Sequence, residues 1–181
     1  AIAGAVSTGT HGTGVALGTL STQVSGMRLV TAAGDLVELD ETRDPDVMRA
    51  ARLSLGMLGV IAELRLKLVK AYRLHERLWK ASVEDCLAKL DSLIASHRHF
   101  EFFWYPTEDM AHMKALSQTD LFCDGLRGVE GERIDWSWKI FPTVREKRFN
   151  EMEYAVPALV GPECLQEIRQ LKQTSVDEVR W

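Results

Sequence analysis

The chain has 181 residues, of which 46% are hydrophobic and 27% charged, and its formal net charge is −4 at pH 7. This composition is typical of a globular protein and excludes disordered and low-complexity classes. The negative charge argues against nucleic acid as a partner. The sequence contains no uninterrupted apolar run of about 18 residues, so no transmembrane segment is predicted.

The three cysteines, Cys86, Cys123 and Cys164, are widely spaced and odd in number. They predict neither a disulfide framework nor a zinc ribbon, and we predict no other metal site. A reducing compartment fits this pattern. We therefore expect a cytoplasmic protein that is either free or attached to a membrane surface.

Residues 1–27 contain no Asp, Glu, Lys or Arg, and they are rich in Gly, Ser and Thr. This stretch is too rich in glycine to predict a helix. It is either a buried strand-and-loop segment or a backbone cradle for a bound group. The most informative part is residues 7–14, S-T-G-T-H-G-T-G. It lacks the Lys of a P-loop, and Gly12, Gly14 and Gly18 miss the Rossmann spacing by one residue, so neither phosphate fingerprint applies.

Glycines allow a backbone to approach a ligand closely, and consecutive N–H groups can form an anion-binding nest. A diphosphate held by backbone and hydroxyl donors is therefore a sensible ligand for residues 7–14, and a plain buried loop is the alternative. His11 is either a catalytic base or a structural hydrogen-bonding residue. The candidate contacts in this segment are Ser7, Thr8, Gly9, Thr10, His11, Gly12, Thr13 and Gly14.

In the first 70 residues, two strands at 27–31 and 36–40 predict a hairpin. Asp44-Pro45 predicts the start of a helix that Gly56 ends in a left-handed conformation. Alternation over residues 60–69 then predicts a strand with one buried face. We expect a domain boundary near residues 69–72.

The remaining residues predict an α+β pattern. Ser82 is the expected cap of a helix with an apolar stripe from Val83 to Ile94. The other predicted elements are strands at 72–80, 100–105 and 149–156, a helix at 83–96, a short helix at 108–116, a loop at 118–133, and a last helix from Gly161-Pro162 with Leu165, Ile168 and Leu171 inward.

Four segments together resemble one known family. Residues 3–14 (A-G-A-V followed by S-T-G-T-H-G-T-G) resemble the second flavin-binding motif of the FAD-dependent sugar-1,4-lactone oxidases, which include gulonolactone, arabinonolactone and alditol oxidases of the vanillyl-alcohol-oxidase-type superfamily. Residues 54–61 (S-L-G-M-L-G-V-I) resemble the third motif, which ends the FAD domain. Residues 100–106 (F-E-F-F-W-Y-P) and 148–157 (R-F-N-E-M-E-Y-A-V-P) resemble stretches of the cap domain.

The resemblance implies an α+β fold that is incomplete at both ends. Residues 1–70 would be the C-terminal part of a two-subdomain, PCMH-type FAD-binding domain, and residues 71–181 part of an α+β substrate-binding cap domain. Ser7 to Gly14 would lie along the FAD diphosphate and the flavin ring. The third motif adds further candidate FAD contacts: Gly56, Gly59, Val60 and Ile61.

The implied reaction is oxidation of an aldono-1,4-lactone or related polyol at a carbinol carbon, with hydride passing to flavin N5 and oxygen or another acceptor reoxidising the flavin. The alternatives are an alditol oxidase of the same superfamily and a non-catalytic interaction module. The resemblance places the family's first FAD segment before Ala1, and its Glu-x-Arg substrate pair and His-Trp-x-Lys segment after Trp181. These 181 residues alone are therefore expected to be inactive, and no catalytic residue is assigned.

Overall fold

A computed structural model describes residues 2–121, 129–142, 148–171 and 176–181. The chain forms two compact units, residues 1–70 and residues 71–181. The first unit contains a 3-10 turn at Leu20–Gln23, two α-helices and three strands: α1 (Ile2–Ser7), β1 (Val24–Val30), β2 (Leu36–Asp40), α2 (Pro45–Arg52) and β3 (Val60–Leu66).

The strands of the first unit form one antiparallel sheet in the order β2-β1-β3. The predicted hairpin is confirmed: β1 and β2 pair up to Val30 and Leu36, and Gly34 in the turn has φ +88°. The predicted strand at residues 60–69 is present, but it ends at Leu66, and the face that was predicted to be buried is only half-buried. Leu68, beyond that end, is exposed.

Helices α1 and α2 close the core of this unit. Val6 of α1, and Met48 and Ala51 of α2, are fully buried together with apolar residues of β1 and β2. The prediction that residues 1–27 contain no helix was therefore wrong. Burial of Val6 outweighs the low helix propensity of Gly4, as tertiary packing commonly does. Helix α2 begins at Pro45 as predicted, but it ends at Arg52, and Gly56 (φ +76°) lies in the following turn rather than at the helix end.

Among the described residues, the second unit is a five-stranded antiparallel sheet with α3, α4 and α6 packed on one face and α5 on the other. Its strand order is β7-β4-β6-β5-β8. A short 3-10 turn at Ala158–Val160 precedes the last helix. The elements are β4 (Arg73–Ser82), α3 (Val83–Ala88), α4 (Leu90–Ser96), β5 (His99–Tyr105), β6 (Met110–Thr119), β7 (Glu132–Trp136), α5 (Ser137–Ile140), α6 (Gly161–Gln170) and β8 (Val179–Arg180).

The predicted helix at 83–96 exists as two consecutive helices that meet at Lys89. The cap is confirmed, because the backbone N–H of Asp85 donates to Ser82 Oγ at 3.0 Å. The apolar stripe packs on the sheet as expected, and Leu90 is only 5% exposed. Cys86 lies in the same core, where burial raises the pKa of its thiol to about 11 and keeps it protonated.

Several predicted elements of the second unit were wrong. The short helix at 108–116 is strand β6, whose residues pair with β4 on one side and β5 on the other. The predicted loop at 118–133 contains the end of β6 and the start of β7, while residues 122–128 lie outside the described residues. Residues 149–156 form no regular strand, and Leu171 is exposed because α6 ends at Gln170.

Candidate functional site

The glycine-rich segment at residues 7–14 leaves α1 as a surface loop. Ser7 is buried at the end of the helix, and the loop is closed by two backbone bonds: Thr10 N–H donates to Ala5 O at 3.1 Å, and Thr10 O accepts from Leu20 N–H at 2.8 Å. Gly9 and Gly14 have φ values of +75° and +110°. Only glycine adopts such a backbone readily, so the loop's path depends on these two residues.

The centre of this loop offers backbone donors to a ligand. Within the described ranges, the backbone N–H groups of Gly12 and Gly14 donate to no other protein group. A Cβ built on Gly12 would meet nothing within 4 Å. His11 is exposed, and its Nδ1 donates to the Gly12 carbonyl at 3.0 Å. The arrangement matches what an anion-binding loop requires, since residues 7–14 also contain no carboxylate.

The second predicted segment lines a cleft of about 260 Å³. Residues 56–60 form one wall and residues 30–32 the other, so Gly56, Gly59 and Val60 line it. Ile61 does not line the cleft, because its side chain packs against the core of the first unit. Gly59 has φ +142°, and a Cβ there would lie 2.4 Å from the carbonyl oxygen of Val30, so no other residue fits this close approach.

Thr31 gives this cleft one unsatisfied polar atom. Its Oγ1 is buried, and it has no hydrogen-bond partner among the described residues. A buried hydroxyl without a partner costs about 1–3 kcal/mol. Sequence analysis did not identify Thr31, because a single threonine after a strand carries no motif.

The fold brings the two predicted segments together. Leu55 N–H donates to Ser7 O at 3.2 Å, and a Cβ on Gly9 would lie 3.0 Å from Leu53 Cδ1. Sites that enclose a whole drug-sized ligand usually measure about 300–1,000 Å³, so this cleft can hold only part of a dinucleotide cofactor. The backbone donors of the loop and the size of the adjacent cleft fit a diphosphate and one ring, and hence part of FAD.

The second unit carries a charged surface on the sheet face opposite α3 and α4. Helix α5 covers one end of this face, where Ile140 packs with Leu74 and Leu116. The rest of the face carries charged side chains, which include ion pairs between Lys114 and Glu101 (3.4 Å) and between Lys114 and Glu76 (3.8 Å). Strand alternation explains the separation: the strand neighbours of Lys114 and Glu101 are core residues on the other face, beneath α3 and α4.

A Glu-x-Arg sequence lies within the chain, as Glu178-Val179-Arg180, so the expectation that this spacing occurs only beyond Trp181 was wrong. Strand β8 holds it at the edge of the sheet, beside β5. Arg180 lies on the charged face with its guanidinium 4.8 Å from the Phe103 ring centroid. The three-letter spacing was a sufficient signal to find this pair from the sequence.

The chain matches the sequence model of the D-arabinono-1,4-lactone oxidase family over residues 64–124 and 122–180. It is 33% identical to an L-gulono-1,4-lactone dehydrogenase of Mycobacterium tuberculosis, a match that covers 92% of this chain and 47% of the relative. It is 38% identical to an L-gulonolactone oxidase of Scyliorhinus torazame over 60% of this chain and 25% of the relative. The chain therefore spans about half the length, or less, of these relatives.

Among solved structures, a cholesterol oxidase from B. sterolicum aligns with a TM-score of 0.59 at 17% identity, covering 67% of this chain and 26% of that protein. A likeness at this identity concerns the fold alone. The predicted α+β fold class is confirmed. Within the part of the chain that the structure describes, no helix is both long enough and apolar enough to cross a membrane.

Proposed function

The chain belongs to the D-arabinono-1,4-lactone oxidase family, and from that premise we propose that the complete protein is a FAD-dependent enzyme that oxidises an aldono-1,4-lactone. The match of residues 64–180 to the family carries the proposal. The names of the relatives support it, since they are lactone oxidases and lactone dehydrogenases. The proposed location is the cytoplasm.

The first unit is proposed to hold FAD. The N–H groups of Gly12 and Gly14 would bind the diphosphate, and the cleft at residues 56–60 would take one ring of the cofactor. When bound, the flavin supplies an acceptor for the hydride of a carbinol carbon, which no protein side chain can do. The absence of carboxylates from residues 7–14 avoids repulsion of the diphosphate.

The second unit is proposed to bind the substrate through Glu178 and Arg180. The resemblance assigns the substrate to a Glu-x-Arg pair, and this chain has that spacing on a sheet face rich in charged groups. The Arg180 side chain is half exposed, so its N–H donors can reach lactone oxygens. A carboxylate such as Glu178 accepts hydrogen bonds from sugar hydroxyls.

Steady-state assays of the complete, purified protein test this function. We expect oxidation of at least one of D-arabinono-, L-gulono- and L-galactono-1,4-lactone, with oxygen or an artificial dye as the electron acceptor. An alditol such as xylitol is the control substrate. Oxidation of the alditol alone would favour the alditol oxidase alternative. A protein that binds FAD and oxidises none of these compounds, or that binds no FAD, would contradict the proposal.

A further inference from the structure

Five charged side chains form a row across the open sheet face of the second unit, one on each strand. Their charges alternate in sign, and the members at the two ends of the row are half exposed while the three inner members are 5–18% exposed. In strand order the row is Arg133 (β7), Glu76 (β4), Lys114 (β6), Glu101 (β5) and Arg180 (β8).

The backbone of Arg180 is fixed by its neighbour Trp181. Trp181 N–H donates to Phe102 O at 2.9 Å, Phe102 N–H donates back at 3.2 Å, and the two rings stack at 6.0 Å. A Cβ on Gly161 would lie 2.0 Å from Trp181 Cη2. The glycine at the start of α6 therefore leaves room for the indole ring of Trp181. Because successive side chains alternate along a strand, Arg180 must then point to the opposite, charged face.

Within the part of the chain that the structure describes, two groups lie against the Arg180 guanidinium on that face. The Phe103 ring lies under its guanidinium, and Glu101 Oε2 lies 3.9 Å from its Nε. A cation over a phenyl ring leaves rotation about the ring normal free, whereas the negative charge of a carboxylate near one edge attracts that edge and favours one orientation. Glu101 therefore biases the direction in which the remaining Arg180 donors point.

Glu101 is itself held by the inner part of the row. Lys114 lies directly opposite it in the β5–β6 register, with Nζ 3.4 Å from Glu101 Oε1, and Glu76 holds Lys114 from the other side at 3.8 Å. Arg133 compensates Glu76 through its guanidinium. Charges buried to this extent cost several kcal/mol each unless they are paired. Each inner member of the row therefore depends on the opposite charges next to it.

We propose that Glu101 is a positioning residue for Arg180, and that Lys114 keeps its carboxylate in place. This inference rests on the proposed function, in which Arg180 binds the lactone. Glu101 acts before the chemical step: without its charge, Arg180 spends only part of its time in the competent orientation, and apparent affinity falls by that fraction. The substitution Glu101→Gln should therefore raise the KM for the lactone at least tenfold while kcat changes less than threefold.

The test is a kinetic comparison in the complete enzyme. Glu101→Asp keeps the negative charge and should raise KM less than Glu101→Gln does. Glu84→Gln is the matched control: Glu84 pairs with Arg169 at 2.7 Å on the helix side of the sheet, so its loss should leave KM within twofold of wild type. Flavin content, measured for each variant, reports whether the fold and the first unit are intact.

The outcomes separate the two claims. An active wild type whose KM is unchanged by Glu101→Gln would overturn this inference alone. An equal loss in Glu101→Gln and Glu101→Asp would also overturn it, because charge would then not be the property that matters. A wild type that oxidises no lactone would overturn the proposed function and, with it, this inference.

Discussion

Replacing Leu90 with Ala should lower the free energy of unfolding of the second unit by about 2–5 kcal/mol. Leu90 is 5% exposed and packs, with Val83 and Cys86, against the aromatic side chains of β5. The substitution removes buried apolar surface and leaves a cavity that rigid strands cannot fill. Urea unfolding of the 181-residue chain, followed by tryptophan fluorescence, measures this loss, because all five tryptophans lie in residues 71–181.

Lys89→Ala is the matched control for Leu90→Ala. Lys89 is adjacent in sequence but exposed, at the junction of α3 and α4, so its substitution should change stability by less than about 0.5 kcal/mol. Equal unfolding midpoints for the two variants would mean that α4 does not pack on the sheet as described.

Replacing Gly12 with Val should abolish flavin binding in the complete protein without unfolding it. Gly12 does not adopt a positive φ, and a Cβ at this position meets no protein atom within 4 Å, so the folded chain tolerates the new side chain. The branched side chain would instead occupy the space next to the free N–H groups, where the diphosphate is proposed to lie. Flavin absorbance per mole of purified protein measures the effect.

Gly4→Val provides the comparison for Gly12→Val. Gly4 lies in α1, also has open space around its Cβ position, and is outside the proposed diphosphate loop, so this variant should retain its flavin. Wild-type flavin content in Gly12→Val would contradict the proposed role of residues 7–14. Loss in both variants would point to damage in the first unit instead of a blocked ligand.

Short sequence motifs correctly predicted the turns, caps and helix starts that depend on neighbouring residues. The hairpin around Gly34, the helix start at Pro45 and the Ser82 cap depend on a few neighbouring residues, and each is present in the structure. Helix α1 was missed because its stability comes from burial of Val6 by strands that follow it in sequence. No window of residues 1–10 contains that information.

Strand β6 shows why propensity misled the prediction. Residues 110–116, M-A-H-M-K-A-L, are mostly good helix formers, yet Ala111, Met113 and Ala115 are buried on one face of a strand that has partners on both sides. Residues 149–156 show the opposite case. Their apolar residues suggested a strand, but Met152 and Tyr154 are exposed and no described strand pairs with them.

The candidate site likewise contains some residues that the sequence could predict and others that it could not. Motif resemblance identified the glycine-rich loop and the segment at residues 56–61 from their letters alone. The contact between Glu101 and Arg180 could not be predicted, because it joins residues 79 positions apart through a register that only the assembled sheet defines. The orphan hydroxyl of Thr31 likewise follows from the close approach of residues 30–32 and 56–60.

Anaerobic mixing of the complete protein with an aldono-1,4-lactone tests the central claim most directly. If the protein is a FAD-dependent lactone oxidoreductase, the visible absorbance of its oxidised flavin should disappear as the lactone is added and return when an electron acceptor is admitted. D-arabinono- and L-gulono-1,4-lactone are the first substrates to try, with the corresponding open-chain aldonates as controls. A bound flavin that keeps its oxidised spectrum with every lactone would contradict the claim.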